Sequence, residues 1–178
     1  MSSHRARGLT LIELLVVTTI TVILLMVAIG GFGGMFARKR VEGLAADFVT
    51  DLQQARTEAV ARNRAVRVTF GNGCYVLHTT AAAITCNGSV IAPPADPATI
   101  RAVVRPASDA TFTLQPAATP PGFIEFSPVN GTVTSGGIAN PGALIGSAAG
   151  PWRLLVTVNG MGRVEICSTS LSGYVACP

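Results

Sequence analysis

The acid at position 13 is the first residue whose type and placement demand a chemical partner. It lies in the stretch RARGLTLIELLVV, residues 5–17, at the fifth position of an apolar run that begins at Leu9. A lone ionised group in hydrocarbon costs about 2.5–3.5 kcal/mol even on lenient insertion scales. A neighbouring opposite charge would offset that cost. Four cysteines, Cys74, Cys86, Cys167 and Cys177, form two pairs close in sequence, and none lies in the apolar run. No CxxC or His/Cys cluster accompanies them, so no metal and no cofactor are expected. An even count behind an export-type segment points to disulfides in an oxidising compartment. The local pairings Cys74–Cys86 and Cys167–Cys177 are expected among the three possible, with buried reduced thiols as the alternative.

Catalysis finds little support in the remaining residues. Beyond the first eight positions the only histidine is His78, inside an expected strand, where it is read as a surface or half-buried residue. No G-x-S-x-G, H-E-x-x-H, P-loop or G-x-G-x-x-G motif occurs. The acids Asp96, Asp109, Glu125 and Glu165 are scattered and read as solvated. The chain is therefore not expected to be an enzyme.

The 178 residues carry 49% hydrophobic and only 12% charged side chains. That charged share is about half the usual value for soluble domains. The formal charge is +4; without Arg5 and Arg7, eleven basic residues against nine acids leave +2. So weak a surplus does not by itself announce a nucleic-acid partner.

These residues need elements to position them. Between Glu13 and Arg38 no charge occurs, and residues 14–37 suffice for a membrane-spanning helix, which takes about 20 residues. The run is too long for a secretory signal peptide and lacks a small-residue cleavage site after it. Basic residues flank both ends, so the positive-inside rule leaves orientation open. Gly30, Gly31, Gly33 and Gly34 either loosen the helix locally or, at the G-x-x-x-G spacing of Gly30 and Gly34, favour close helix packing. Beyond Arg40 the apolar positions Val41, Leu44, Phe48, Leu52, Ala55 and Ala59 recur at helical spacing, with Glu42, Asp47, Asp51 and Glu58 placed off that face. One helix is expected from about Leu9 to Asn63, about 80 Å at 1.5 Å per residue.

After the helix, short alternating runs and turn signals dominate. Ala65–Phe70 and Cys74–Thr79, joined by a Gly-Asn-Gly turn, predict a hairpin. Further strands are expected at 100–104, 111–114, 123–126, 131–134, 153–158, 164–167 and 174–176. The Gly/Ala/Ser-rich segment 135–150 is expected to be a loop. The fold class expected is α+β: a long N-terminal helix, membrane-spanning in its first half and amphipathic in its second, packed on an antiparallel β-sheet or sandwich.

Gly8-Leu9-Thr10-Leu11-Ile12-Glu13-Leu14 resembles the class III signal of type IV pilins and type II secretion pseudopilins. The resemblance implies that a prepilin peptidase cuts between Gly8 and Leu9 and methylates Leu9. It implies that Glu13, then the fifth residue, meets the N-terminal amine of a neighbouring subunit in a filament. It places the residues after the span outside the cytoplasm. Leu52–Phe70, with Ala55, Arg56, Glu58, Ala59 and Arg62, and Val158–Cys167, centred on Gly162-Arg163, resemble the GspH/FimT group of minor pilins and pseudopilins.

The organisation this implies is a leader at 1–8, a membrane and filament-core helix at 9–37, its amphipathic continuation at 38–64 and a periplasmic β-rich domain at 65–178. The function implied is structural, with major and minor pilins or pseudopilins, the prepilin peptidase and the bacterial inner membrane as partners. The alternative is DNA binding during natural transformation, which some FimT-type pilins perform through a Gly-Arg-x-Arg motif. Here Glu165 replaces the second arginine, where it would repel phosphate. Arg163 and Arg153 are the residues singled out for such a contact.

Overall fold

The computed structural model describes residues 10–71, 73–79, 84–87, 90–92, 98–104, 111–115, 123–134, 141–147 and 150–177, with backbone only at 27–32, 85–87, 90–92 and 111–115. The chain divides into two units, residues 1–36 and 37–178.

A single helix, α1 (Leu11–Ala61), contributes to both units. Its backbone stays helical through the cluster at Gly30–Gly34, so the local unwinding those glycines allow does not occur. In the first unit the side chains from Leu11 to Met26 are all exposed. Among the described residues no helix is long and apolar enough to cross a membrane.

In the second unit the helix is one-sided, as its spacing predicts. Val41, Leu44, Phe48, Leu52, Ala55 and Ala59 are all buried. The helix stops on a left-handed residue, Asn63 at φ 49°. Asn63 N–H donates to the Val60 carbonyl at 3.2 Å and Arg64 N–H to the Ala59 carbonyl at 3.1 Å. This pair of bonds closes the last turn and satisfies carbonyls that the helix end would otherwise orphan.

Eleven strands follow among the described residues. They are β1 (Val66–Gly71), β2 (Cys74–His78), β3 (Thr85–Asn87), β4 (Val90–Ala92), β5 (Thr99–Val104), β6 (Thr111–Gln115), β7 (Phe123–Phe126), β8 (Val133–Thr134), β9 (Gly142–Gly146), β10 (Arg153–Val158) and β11 (Val164–Cys167). They form a five-stranded sheet in the order β5-β2-β1-β7-β8, a four-stranded sheet β11-β10-β9-β6, and the small pair β3-β4. Every pairing between these strands is antiparallel.

Both larger sheets and the helix share one core. Val68, Phe70, Tyr75, Leu77, Ile124 and Phe126 come from the five-stranded sheet, and Ala143, Ile145, Leu154, Val156 and Val158 from the other. Phe48 of the helix meets Phe70 and Tyr75 edge-on, with ring centroids 5.7 and 5.0 Å apart. Edge-to-face pairs of this kind add about 0.5–1.5 kcal/mol beyond their buried area.

Three expectations about the strands need correction. Segment 135–150 is not all loop, because β9 runs through it and pairs on both sides, with β10 and β6. Segment 174–176 is not a strand; Val175 makes one isolated parallel bridge with Cys167. His78 is fully buried instead of surface-lying, because β2 is an interior strand and all five of its residues are covered.

Candidate functional site

The N-terminal segment is built around a cap. Thr10 precedes the helix, and its hydroxyl accepts the Glu13 N–H at 3.3 Å. Thr10 and Glu13 thus hold the positions of a capping box, threonine at the cap and glutamate three residues on. A first-turn acid also faces the positive end of the helix dipole. The Glu13 side chain is exposed, and among the described residues no cation pairs with it. Gly8 and Leu9 lie outside the described residues.

Further along, the polar groups of the apolar run are satisfied within the helix. Thr18 and Thr19 donate to the Leu15 carbonyl at 3.0 and 2.7 Å, and Thr21 donates to Val17 at 2.7 Å. Such back-bonding lets a hydroxyl sit on an apolar surface without water. Leu11, Ile12, Leu14, Leu15, Val16 and Val17 nevertheless remain exposed, as do Ile20 and Val22 through Met26. An apolar surface of this extent marks a site for lipid or protein contact.

In the second unit the two stretches that resemble the GspH/FimT group come together through Arg56. Its Nη1 donates to the Gly162 carbonyl at 3.5 Å. Gly162 (φ +77°) and Gly131 (φ +64°) both pack on the Arg56 side chain. A Cβ on Gly162 would stand 2.4 Å from the Gly131 carbonyl oxygen, so two loops and the helix end are clasped at a place that only glycine fits. Beside it, the Val133 N–H donates to the Gly160 carbonyl at 2.9 Å.

Asp51, which the helical spacing placed off the core face, is instead buried. It follows Phe48 by three residues and precedes Ala55 by four, so it lies inside the apolar stripe. Its Oδ2 accepts the Tyr75 hydroxyl at 2.5 Å. Its Oδ1 lies 2.9 Å from Nη1 of Arg101, an ion-pair contact whose direction falls short of a hydrogen bond. Burial, and then the bond to Asp51, push the Tyr75 phenol well above its usual range. His78, on β2, bonds the Thr69 hydroxyl through Nε2 at 2.8 Å. Both groups serve the core, and no cluster of metal-ligating side chains occurs among the described residues.

Three further acids among the described residues, Glu125, Glu58 and Glu42, are paired. Glu125 bonds Arg67 across β7 and β1, and the Arg67 guanidinium also lies 4.6 Å from the Phe123 ring. Glu58 accepts from Arg62 at 2.5 Å. Glu42 bonds Lys39 at 2.8 Å and Arg38 at 2.9 Å, and these bonds hold its carboxyl below the usual range. Asp96 and Asp109 lie outside the described residues.

The two arginines singled out for nucleic acid are not brought together. Arg153 opens β10, whereas Arg163 lies beyond its far end. Five residues of strand separate Arg153 from Val158, about 17 Å at 3.4 Å each. Arg163 has Glu165 as a neighbour at 3.8 Å. These facts weigh against a shared phosphate-binding patch.

Cys167 and Cys177 are joined by a disulfide with Cα atoms 5.0 Å apart. Cys74 is disulfide-bonded as well; the side chain of Cys86 lies outside the described ones.

A capped apolar helix that becomes one-sided, followed by two antiparallel sheets on its amphipathic part, defines a pilin-like α+β protein. The chain belongs to the family described as type II transport protein GspH, whose model matches residues 44–162. The prokaryotic N-terminal methylation motif matches residues 3–29. It is a GspH/FimT-type minor pilin or pseudopilin, a structural subunit. No curated protein matches the chain. Among solved structures, the Pseudomonas aeruginosa type IV minor pilin FimU has a similar fold. One crystal form is 19% identical, with a TM-score of 0.51 over 75% of this chain and 92% of that one. A second form is 18% identical, with a TM-score of 0.48 over 73% and 94%. The matched families are structural, not enzymatic, and none of the comparisons supports DNA binding.

Proposed function

We propose that the chain is made as a precursor with leader 1–8, cut between Gly8 and Leu9, methylated at Leu9 and held in the bacterial inner membrane by residues 9–37. Residues 38–64 continue the helix, and 65–178 form a periplasmic β-rich domain. The mature subunit enters a type II secretion pseudopilus or a type IV pilus alongside major and other minor subunits. There the Glu13 carboxylate meets the Leu9 amine of a neighbour.

One observation carries this reading. Glu13 sits one turn into an uncovered apolar helix, inside the segment that matches the N-terminal methylation motif. Thr10 and the helix dipole account for its backbone setting but provide no counter-charge. A neighbour's amine would supply one, and would make a buried acid tolerable.

The test separates processing from assembly. Glu13→Ala should leave cleavage and membrane insertion intact and deplete the subunit from sheared filaments. Gly8→Ala should leave the precursor uncut. Normal incorporation of Glu13→Ala would contradict the assembly role; a mature-size product from Gly8→Ala would contradict the leader.

A further inference from the structure

The strand β11 ends the four-stranded sheet, and among the described residues only the segment at Val175 pairs along its outer edge. Gly160-Met161-Gly162 form the three-residue loop that joins it to β10. Gly162 N–H donates to the Asn159 carbonyl at 2.8 Å, and Asn159 N–H donates to the Arg163 carbonyl at 3.0 Å. With Gly162 left-handed, this is a type I turn closed by a glycine bulge.

The closing bond fixes which way the edge groups point. Arg163 faces β10, and by alternation Glu165 does too, opposite Thr157. The N–H and C=O of Val164 therefore point away from the sheet. So does the N–H of Ser168, which donates to the Val175 carbonyl at 2.9 Å. That bond accompanies the isolated Cys167–Val175 bridge, and no other described residue pairs along the edge. A groove of about 420 Å³ runs beside it, lined by Thr157, Arg163, Glu165 and Val175 among others.

The charges along this edge are self-complementary. Arg163 and Glu165 flank Val164 on one face of the strand, 79% and 59% exposed. Let a second copy of the edge pair antiparallel about a two-fold axis at Val164. The two Val164 residues then exchange their N–H and C=O groups. Arg163 of each copy falls opposite Glu165 of the other, in the closer, non-hydrogen-bonded position. Two exposed apolar residues flank the edge at its ends, Met161 (78% exposed) and Val175 (76%). Antiparallel pairing carries Met161 of each copy toward Val175 of the other.

We propose that β11 is a self-association edge: two copies of this chain pair antiparallel about Val164, held in register by reciprocal Arg163–Glu165 ion pairs. A short edge gives a weak, reversible contact and not an obligate dimer. The reciprocal arrangement has the isologous symmetry of most homodimers. It also covers an edge that natural sheets otherwise protect.

Charge reversal tests the register. The full-length protein in detergent micelles would be followed by sedimentation velocity over a concentration series, as wild type, Arg163→Glu, Glu165→Arg and the double exchange. Circular dichroism would report whether each variant is folded. The expected result is a concentration-dependent dimer. Each single reversal sets like charges opposite each other twice and weakens it about tenfold. The double exchange restores the opposite pairs and brings the dissociation constant back near wild type. A monomer at every concentration would overturn the proposal. So would a dimer indifferent to all three changes, or a double exchange as weak as the singles. Association through the apolar helix would show as the indifferent case.

Discussion

The Tyr75 hydroxyl donates to Oδ2 of Asp51 at 2.5 Å, inside the core between the helix and the five-stranded sheet. The pair ties α1 to β2 by a directional bond where otherwise only apolar side chains meet. Tyr75→Phe keeps the ring's contact with Phe48 and removes the donor. A buried carboxylate oxygen is then left without it, and stability should fall by about 1–3 kcal/mol. Urea unfolding of the variant against wild type measures this.

Burial of the Tyr75 phenol, and then this bond, set a pH dependence. The folded Tyr75 pKa is raised above the unfolded value of about 10. The stability it contributes is present below pH ~10 and is lost as the pH rises past it, because the unfolded chain then releases a proton that the native state keeps. The slope for this one group approaches 1.4 kcal/mol per pH unit. Denaturant midpoints between pH 9 and 11 should fall for wild type and fall less steeply for Tyr75→Phe.

The glycines of the Arg56 clasp should rank by geometry. Gly162 is left-handed, and a Cβ there meets the Gly131 carbonyl oxygen, a backbone atom. Gly131 is left-handed too, but its Cβ would meet the movable Arg56 side chain at 2.7 Å. Gly160 has nothing within 4 Å. Gly162→Ala should cost about 2–4 kcal/mol, Gly131→Ala about 1–2, and Gly160→Ala less than about 0.5. Thermal unfolding of the three variants checks the order.

Much of this architecture can be read from spacing. The apolar positions from Val41 to Ala59 recur every three or four residues, and all of them are buried. The hairpin expected there forms, β1 pairing with β2 and Gly71 standing opposite Cys74. What spacing does not supply is a partner distant in sequence. Asp51 is tolerable in the core only because Tyr75 and Arg101 reach it. Thr69, diagonal to His78 across the hairpin, bonds its buried ring. Segment 135–150 reads as a loop from its small residues. Yet Gly142 must be small, since a Cβ there would stand 2.2 Å from the Val156 carbonyl oxygen. Ala143 and Ile145 alternate into the core beside it. The site near Glu13 is the most legible part, because its signal is one charge in an uncharged run.

Opening the Cys167–Cys177 bridge should loosen the C-terminal segment. The bond spans ten residues of sequence, a short loop worth about 2–3 kcal/mol in the chain-entropy picture. That loop carries buried Leu171 and the Ser172 carbonyl, which accepts from Arg38 at 3.2 Å. Cys167→Ser with Cys177→Ser should lower the melting temperature and speed amide exchange at Ser168, whose N–H bonds Val175. Hydrogen-exchange mass spectrometry of a peptide that starts upstream of Ser168, such as 164–177, reads the local effect.

The proposed assembly requires the N-terminal helix to pack against other filament subunits. Val22, half-exposed on the apolar run, is the place to ask. A photo-crosslinker would be introduced at Val22 in the native host and the captured species identified by mass spectrometry. Crosslinks to the N-terminal helices of other pilins or pseudopilins are expected, and Glu13→Ala should abolish them. Capture of lipid alone, with no filament subunit, would contradict it.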